Sequence, residues 1–140
     1  QAEAAGGFAP PLPTPRTVLR GFAPPTQPWL PGNGGVDLAA TTGERVTATA
    51  DGGGRYAGLL AGRGVVSLSH GDLRTTYEPL RVSVHRGQRV LAGSVIGRLQ
   101  IAGSHCGPQA CLHWGLLRGS SYLDPLALLG LERVRLLPLT

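Results

Sequence analysis

Between Ser104 and Gly115 the chain gathers most of the side chains that could do chemistry. Both cysteines (Cys106 and Cys111), two of the four histidines (His105 and His113) and one of the two tryptophans (Trp114) lie there. Cys111, His113 and Gly115 alternate with Leu112 and Trp114, and alternation at period two marks a half-buried strand. Cys111 and His113 are therefore expected on one face, about 7 Å apart along the strand. A Cys-x-His pair on one face is a metal site, a catalytic pair, or what remains of either. Zinc sites built on paired cysteines commonly use two such pairs, and a second pair is missing. A local Cys106–Cys111 disulfide around the Gly107-Pro108 turn fits better than free thiols or metal thiolates, and belongs in an oxidising compartment. So short a loop adds only about 2 kcal/mol by chain entropy. Its larger expected role is to fix the loop beside His113.

A second candidate lies upstream, in Asn33-Gly34-Gly35-Val36-Asp37-Leu38. Asp37 is a carboxylate at the start of an apolar run, a place that turn and cap residues also occupy. The glycines before it imply tight turning or close backbone approach. His70 ends the strand pattern Val65–Ser69. His85, beside Arg86 in a turn, reads as a surface residue.

The elements that must position these groups are short strands. With 22 Gly and 12 Pro in 140 residues, the chain favours strands and turns over long helices. Strand patterns run over 17–20, 44–50, 55–61, 64–70 and 73–77. Asp51 to Gly54 reads as a turn, and further short strands fall between the glycines at 87, 93 and 97. Asp124-Pro125 followed by Leu126 to Gly130 has the signature of a short helix: N-cap, proline at the first position, glycine stop. The whole reads as an all-β, small antiparallel sandwich or barrel-like domain over residues 16–130 with one short C-terminal helix. Residues 1–15 read as a Pro/Ala/Gly-rich linker that tethers it. In 21–32 four prolines forbid a helix, leaving a loop anchored by Phe22 and Trp29. The tail, 131–140, is a candidate edge strand.

Composition excludes several function classes. Net charge is +5 and all 13 basic residues are Arg, scattered along the chain, with only two Phe. No aromatic-basic platform for nucleic acid can be assembled from this. No apolar run approaches the ~20 residues of a membrane-spanning helix. Gly87-Gln88-x-Val90-x-x-Gly93-x-x-Ile96-Gly97 is similar to a segment of lipoyl and biotinyl carriers, but those attach their cofactor to lysine, and this chain has none.

Taken in order, Gly35-Val36-Asp37, His70-Gly71, Thr76-Tyr77-Glu78-Pro79-Leu80, the Gly87–Gly97 segment, Leu112-His113-Trp114 and Asp124-Pro125 resemble the M23 peptidases, the LytM or lysostaphin family. The resemblance covers roughly residues 16 to 130. It implies a small antiparallel β domain with a substrate groove. It also implies the zinc chemistry of enzymes that cut peptide cross-links in bacterial peptidoglycan. Members hold zinc through H-x-x-x-D and the second histidine of H-x-H. Asp37 and His113 match two of these ligands; the third position is Asn33. The first histidine of H-x-H and the histidine of Tyr-x-His, which assist catalysis, fall on Cys111 and Pro79.

A catalytic zinc ordinarily keeps three protein ligands and an open position, and an asparagine amide is a poor substitute for imidazole. The expectation is a catalytically inactive relative with a vestigial Asp37/His113 pair, no cofactor, and a groove formed with Asn33, His70, Tyr77 and Trp114. It would act in the cell envelope, secreted or periplasmic, binding peptidoglycan or regulating a cell-wall hydrolase. The alternative is a divergent zinc metalloendopeptidase in which His105 swings toward Asp37 and His113 and a reduced Cys111 ligates as thiolate.

Overall fold

The computed structural model describes residues 7–23 and 34–129. Eleven strands and one 3-10 helix run through them: β1 (Val18–Arg20), β2 (Val36–Ala39), β3 (Arg45–Thr47), β4 (Gly52–Leu60), β5 (Arg63–His70), β6 (Leu73–Glu78), β7 (Leu80–Val82), β8 (Arg89–Val90), β9 (Val95–Leu99), β10 (Cys111–Arg118), β11 (Ser121–Leu123) and the 3-10 helix Pro125–Leu129. An eight-stranded sheet has the order β1-β2-β10-β6-β5-β4-β8, with β11 paired to β10, and a three-stranded sheet has the order β3-β9-β7. Every pairing is antiparallel. The all-β expectation holds, and the short C-terminal helix is of the 3-10 type. The Asp124 carboxylate caps it, accepting from the Leu126 N–H at 3.0 Å.

The core is the space between the two sheets. Val36 and Leu38 of β2, Val66 and Leu68 of β5, Tyr77 of β6 and Leu112 and Trp114 of β10 meet Val46, Leu80, Ile96 and Leu99 from the smaller sheet. Period-two alternation follows: the residues between them, Asp37, Ser67, Thr76, Glu78, Cys111 and His113, point to the other face of the large sheet.

Three expectations need correction. Residues 7–15 are not a bare linker. Leu12 is 2% exposed and belongs to the core, the Thr47 N–H donates to the Pro11 carbonyl at 2.9 Å, and the Ala9 N–H donates to the Thr49 carbonyl. One leucine among prolines suffices, because extended backbone that adds to a sheet margin needs no helix or strand propensity of its own. Residues 51–54 are not a turn, since β4 begins at Gly52 and pairs with both β5 and β8. The glycines permit close approach: a Cβ at Gly54 would lie 2.6 Å from the His85 carbonyl oxygen. Thirdly, Tyr77 and Trp114 are both 0% exposed and are core residues; the expected Trp29 anchor and the 131–140 edge strand lie outside the described residues.

Candidate functional site

Register builds the site. Asp37 on β2 pairs with His113 on β10, and His113 pairs with Glu78 on β6. Side chains directly opposite in antiparallel strands share a face, so Asp37, His113 and Glu78 form a row across three strands. Cys111, two residues before His113, is on that face as the alternation required. The His113 ring is turned by its surroundings. A Cβ at position 35 would lie 2.9 Å from its Nε2, so only glycine there lets the ring lie against the chain entering β2. That leaves Nδ1 aimed at the Asp37 Oδ1, 2.7 Å away.

Asp37 is only 1% exposed. Burial pushes its carboxyl upward, but the hydrogen bond and charge of His113, together with the charge of His105, outweigh that and hold it below its ordinary value. The carboxylate is therefore kept ionised in a largely dry place.

His105 is the unexpected member. Its Nδ1 is 3.4 Å from the Asp37 Oδ1, and its ring centroid is 4.7 Å from that of His113. The sequence reading admitted His105 here only as a rearrangement with Cys111 reduced. The structure brings it in with Cys106 and Cys111 joined as a disulfide. The loop is held from within. The Ser104 hydroxyl donates to the Gln109 carbonyl at 2.7 Å and accepts from the Cys106 N–H at 3.1 Å. His105 stands between those two anchored residues. Residue order raises this approach only within the alternative with a reduced Cys111, because the contact depends on which way the segment leading into the disulfide folds over the sheet.

Glu78, within the Thr76–Leu80 motif, flanks His113 and pairs with Arg63 of β5. Arg63 in turn packs under the loop, since a Cβ at Gly103 would lie 2.7 Å from its Cβ. The β6 side of His113 thus carries a carboxylate–guanidinium pair.

The other expected groove residues are elsewhere. Tyr77 and Trp114 sit in a buried polar chain. The Trp114 Nε1–H donates to the Thr49 hydroxyl at 3.1 Å, the Thr49 N–H donates to the Tyr77 oxygen at 3.0 Å, and the Thr75 and Tyr77 hydroxyls are 2.7 Å apart. Burial pushes the Tyr77 phenol above its ordinary value, partly offset by its hydrogen bonds to Thr49 and Thr75. His70 continues the chain, with Nε2 2.7 Å from the Thr75 hydroxyl and Nδ1 donating to the Asp51 carbonyl. It lines an open cavity of about 470 Å³ with Phe8, Asp51 and Arg89. That cavity is at the Leu73 end of β6, whereas Glu78 and His113 are at the other end. His70 therefore does not join Asp37 and His113. Its hydrogen-bonded setting matches the structural role that such a strand-end histidine commonly has. Asn33 lies outside the described residues.

Asp37, His105 and His113 each offer one ligand atom, all within 4.8 Å of one another. Two imidazoles and a carboxylate are a good donor set for zinc, so the residues present fit a divalent transition metal. Such an ion would polarise a carbonyl or acidify a bound water. The Cys106 and Cys111 sulfurs also lie near Asp37, but a disulfide carries no thiolate to ligate with.

The description "Peptidase family M23" matches residues 31–125, and the chain belongs to that family. Curated relatives are the uncharacterized proteins Rv2891 of Mycobacterium tuberculosis and Mb2915 of Mycobacterium bovis, each 47% identical over 135 residues, which is 93% of this chain and 54% of theirs. The chain thus spans about half the length of the curated relatives it matches. Similar solved structures include the antimicrobial peptidase lysostaphin from Staphylococcus simulans (24% identity, TM-score 0.69, 83% of this chain and 50% of that one). A zinc-containing peptidase from Vibrio cholerae is similar as well (24%, 0.70, 83% and 38%). So is a chain of the SpoIIQ–SpoIIIAH pore-forming complex (22%, 0.70, 87% and 91%). At these identities they establish the fold.

Proposed function

We propose that this M23 domain acts in the cell envelope as a non-cleaving module that binds peptidoglycan or regulates a cell-wall hydrolase. The observation that carries the reading is the state of the two positions where the family places its assisting histidines. One is Cys111, 1% exposed and closed into a disulfide. The other is the buried Pro79. Neither has a proton to give or take. General acid–base groups contribute roughly 10²–10⁴-fold each, so a metal on Asp37 would lack the partners that move protons during amide cleavage.

Recognition needs less. Glu78 and Arg63, partly exposed beside His113, offer both charge signs on the outer face of the sheet, which suits the carboxylates and ammonium groups of stem peptides. The Cys106–Cys111 disulfide supports an oxidising location. Purified peptidoglycan tests this: the chain should co-sediment with it while releasing no new amino groups. Release by wild type that is abolished in His113→Ala would sink the reading.

One observation favours a second reading, a divergent zinc endopeptidase. His105 restores a third donor beside Asp37 and His113. Amino-group release in the same assay would establish it.

A further inference from the structure

We infer that His105 is a metal ligand, recruited by the Cys106–Cys111 disulfide loop to complete with Asp37 and His113 a three-donor site for a divalent transition metal. The inference does not rest on whether the domain cleaves. It concerns a residue that the family motif leaves without a role.

Three features converge. The first is the spacing of donors. Ligands bound at about 2.0–2.2 Å around a tetrahedral ion sit roughly 3.3 Å from each other. The His105 Nδ1 is already 3.4 Å from the Asp37 Oδ1. The His113 Nδ1 and Asp37 Oδ1, 2.7 Å apart, are at the distance a shared proton sets. Replacing that proton by an ion asks for an opening of well under 1 Å.

The second is preorganisation. His113 lies with its Nε2 close against Gly35, where a Cβ would come within 2.9 Å, and its Nδ1 is hydrogen-bonded to Asp37. His105 is held between Ser104, bonded across the loop to Gln109, and Cys106, tied covalently to the strand that carries His113. The histidine that tertiary folding brings in thus takes the place of the one the family motif would set at Asn33.

The third is access. The Asp37 side chain is 2% exposed, His113 12% and His105 37%. The site is walled on the protein side and open past His105, which leaves a position for water or a ligand carbonyl.

The test uses the oxidised full chain. Zinc affinity is measured by competition with a chromophoric chelator, and Co²⁺ replaces zinc for spectroscopy. Wild type should take up one equivalent and give the absorption bands of tetrahedral Co²⁺ without a thiolate charge-transfer band. His105→Ala should weaken binding on the order of 100-fold, while His85→Ala, a change of an exposed turn residue, should leave it unaltered. Folding of His105→Ala is checked by its thermal melt. A measurement on the unaltered protein stands beside it: in the Co²⁺ form, the imidazole proton resonances of His105 and His113 should be paramagnetically shifted, and those of His85 should not. Absence of stoichiometric metal in wild type, wild-type affinity in folded His105→Ala, unshifted His105 resonances, or a thiolate band would each overturn the inference.

Discussion

At the scale of single residues, the site depends on small groups that make room. A Cβ at Gly35 would come within 2.5 Å of the Trp114 carbonyl oxygen and 2.9 Å of the His113 Nε2, so Gly35→Ala should force β2 from β10 and disturb the His113–Asp37 contact. Overpacking of this kind costs about 1–3 kcal/mol, and metal uptake should weaken along with the loss in urea stability. In the core, Tyr77 is the polar residue whose loss is most informative. Its hydroxyl serves Thr49 and Thr75, and Tyr77→Phe leaves those groups without it at a cost of about 1–3 kcal/mol, read from denaturant melts. The pH dependence follows from the raised phenol pKa. The unfolded phenol ionises near its ordinary value of about 10. Because the fold favours the neutral form, its stabilisation is whole below that pH and is lost as pH rises through the higher folded value. Melting temperature should therefore fall more steeply above about pH 10 in wild type than in Tyr77→Phe.

The loop between β9 and β10 is the element that sets the chemistry. It carries His105 and Cys106, is tied by the disulfide to Cys111 at the start of β10, and brings His105 onto Asp37. Substituting Cys106→Ser and Cys111→Ser together should lower stability by only about 2 kcal/mol, because the closed loop is short. Metal affinity should fall as well, since His105 would lose its tether to β10. Calorimetric melts and the chelator competition read these two effects separately. A protein that lost affinity without losing its fold would show that the disulfide serves the site more than the domain.

For the molecule as a whole, the segment before β1 is part of the fold. Leu12 sits among core residues of both sheets, and Arg16 forms a two-point ion pair with Glu44, its Nη1 and Nη2 3.0 and 2.6 Å from the carboxylate oxygens. Leu12→Ala should cost about 2–5 kcal/mol, in the range of buried leucine truncations, whereas a tether would tolerate it. Equilibrium denaturation distinguishes the two.

The residue order by itself determined the strand alternation, the shared face of Cys111 and His113, the capped short helix after Asp124, and the family. Each of these is a local period, a local turn chemistry or a motif spacing. Tertiary structure decided the rest. Alternation already sets Trp114 on the face opposite His113, but which face of a sheet is inner depends on the second sheet, and that sheet covers Trp114 and its partner Tyr77. His105 has no periodic signal at all. It becomes a neighbour of Asp37, 68 positions away in sequence, only because a disulfide-closed loop folds across strands whose register places Asp37 opposite His113. Local sequence encodes which way a side chain alternates; only packing determines what stands in front of it.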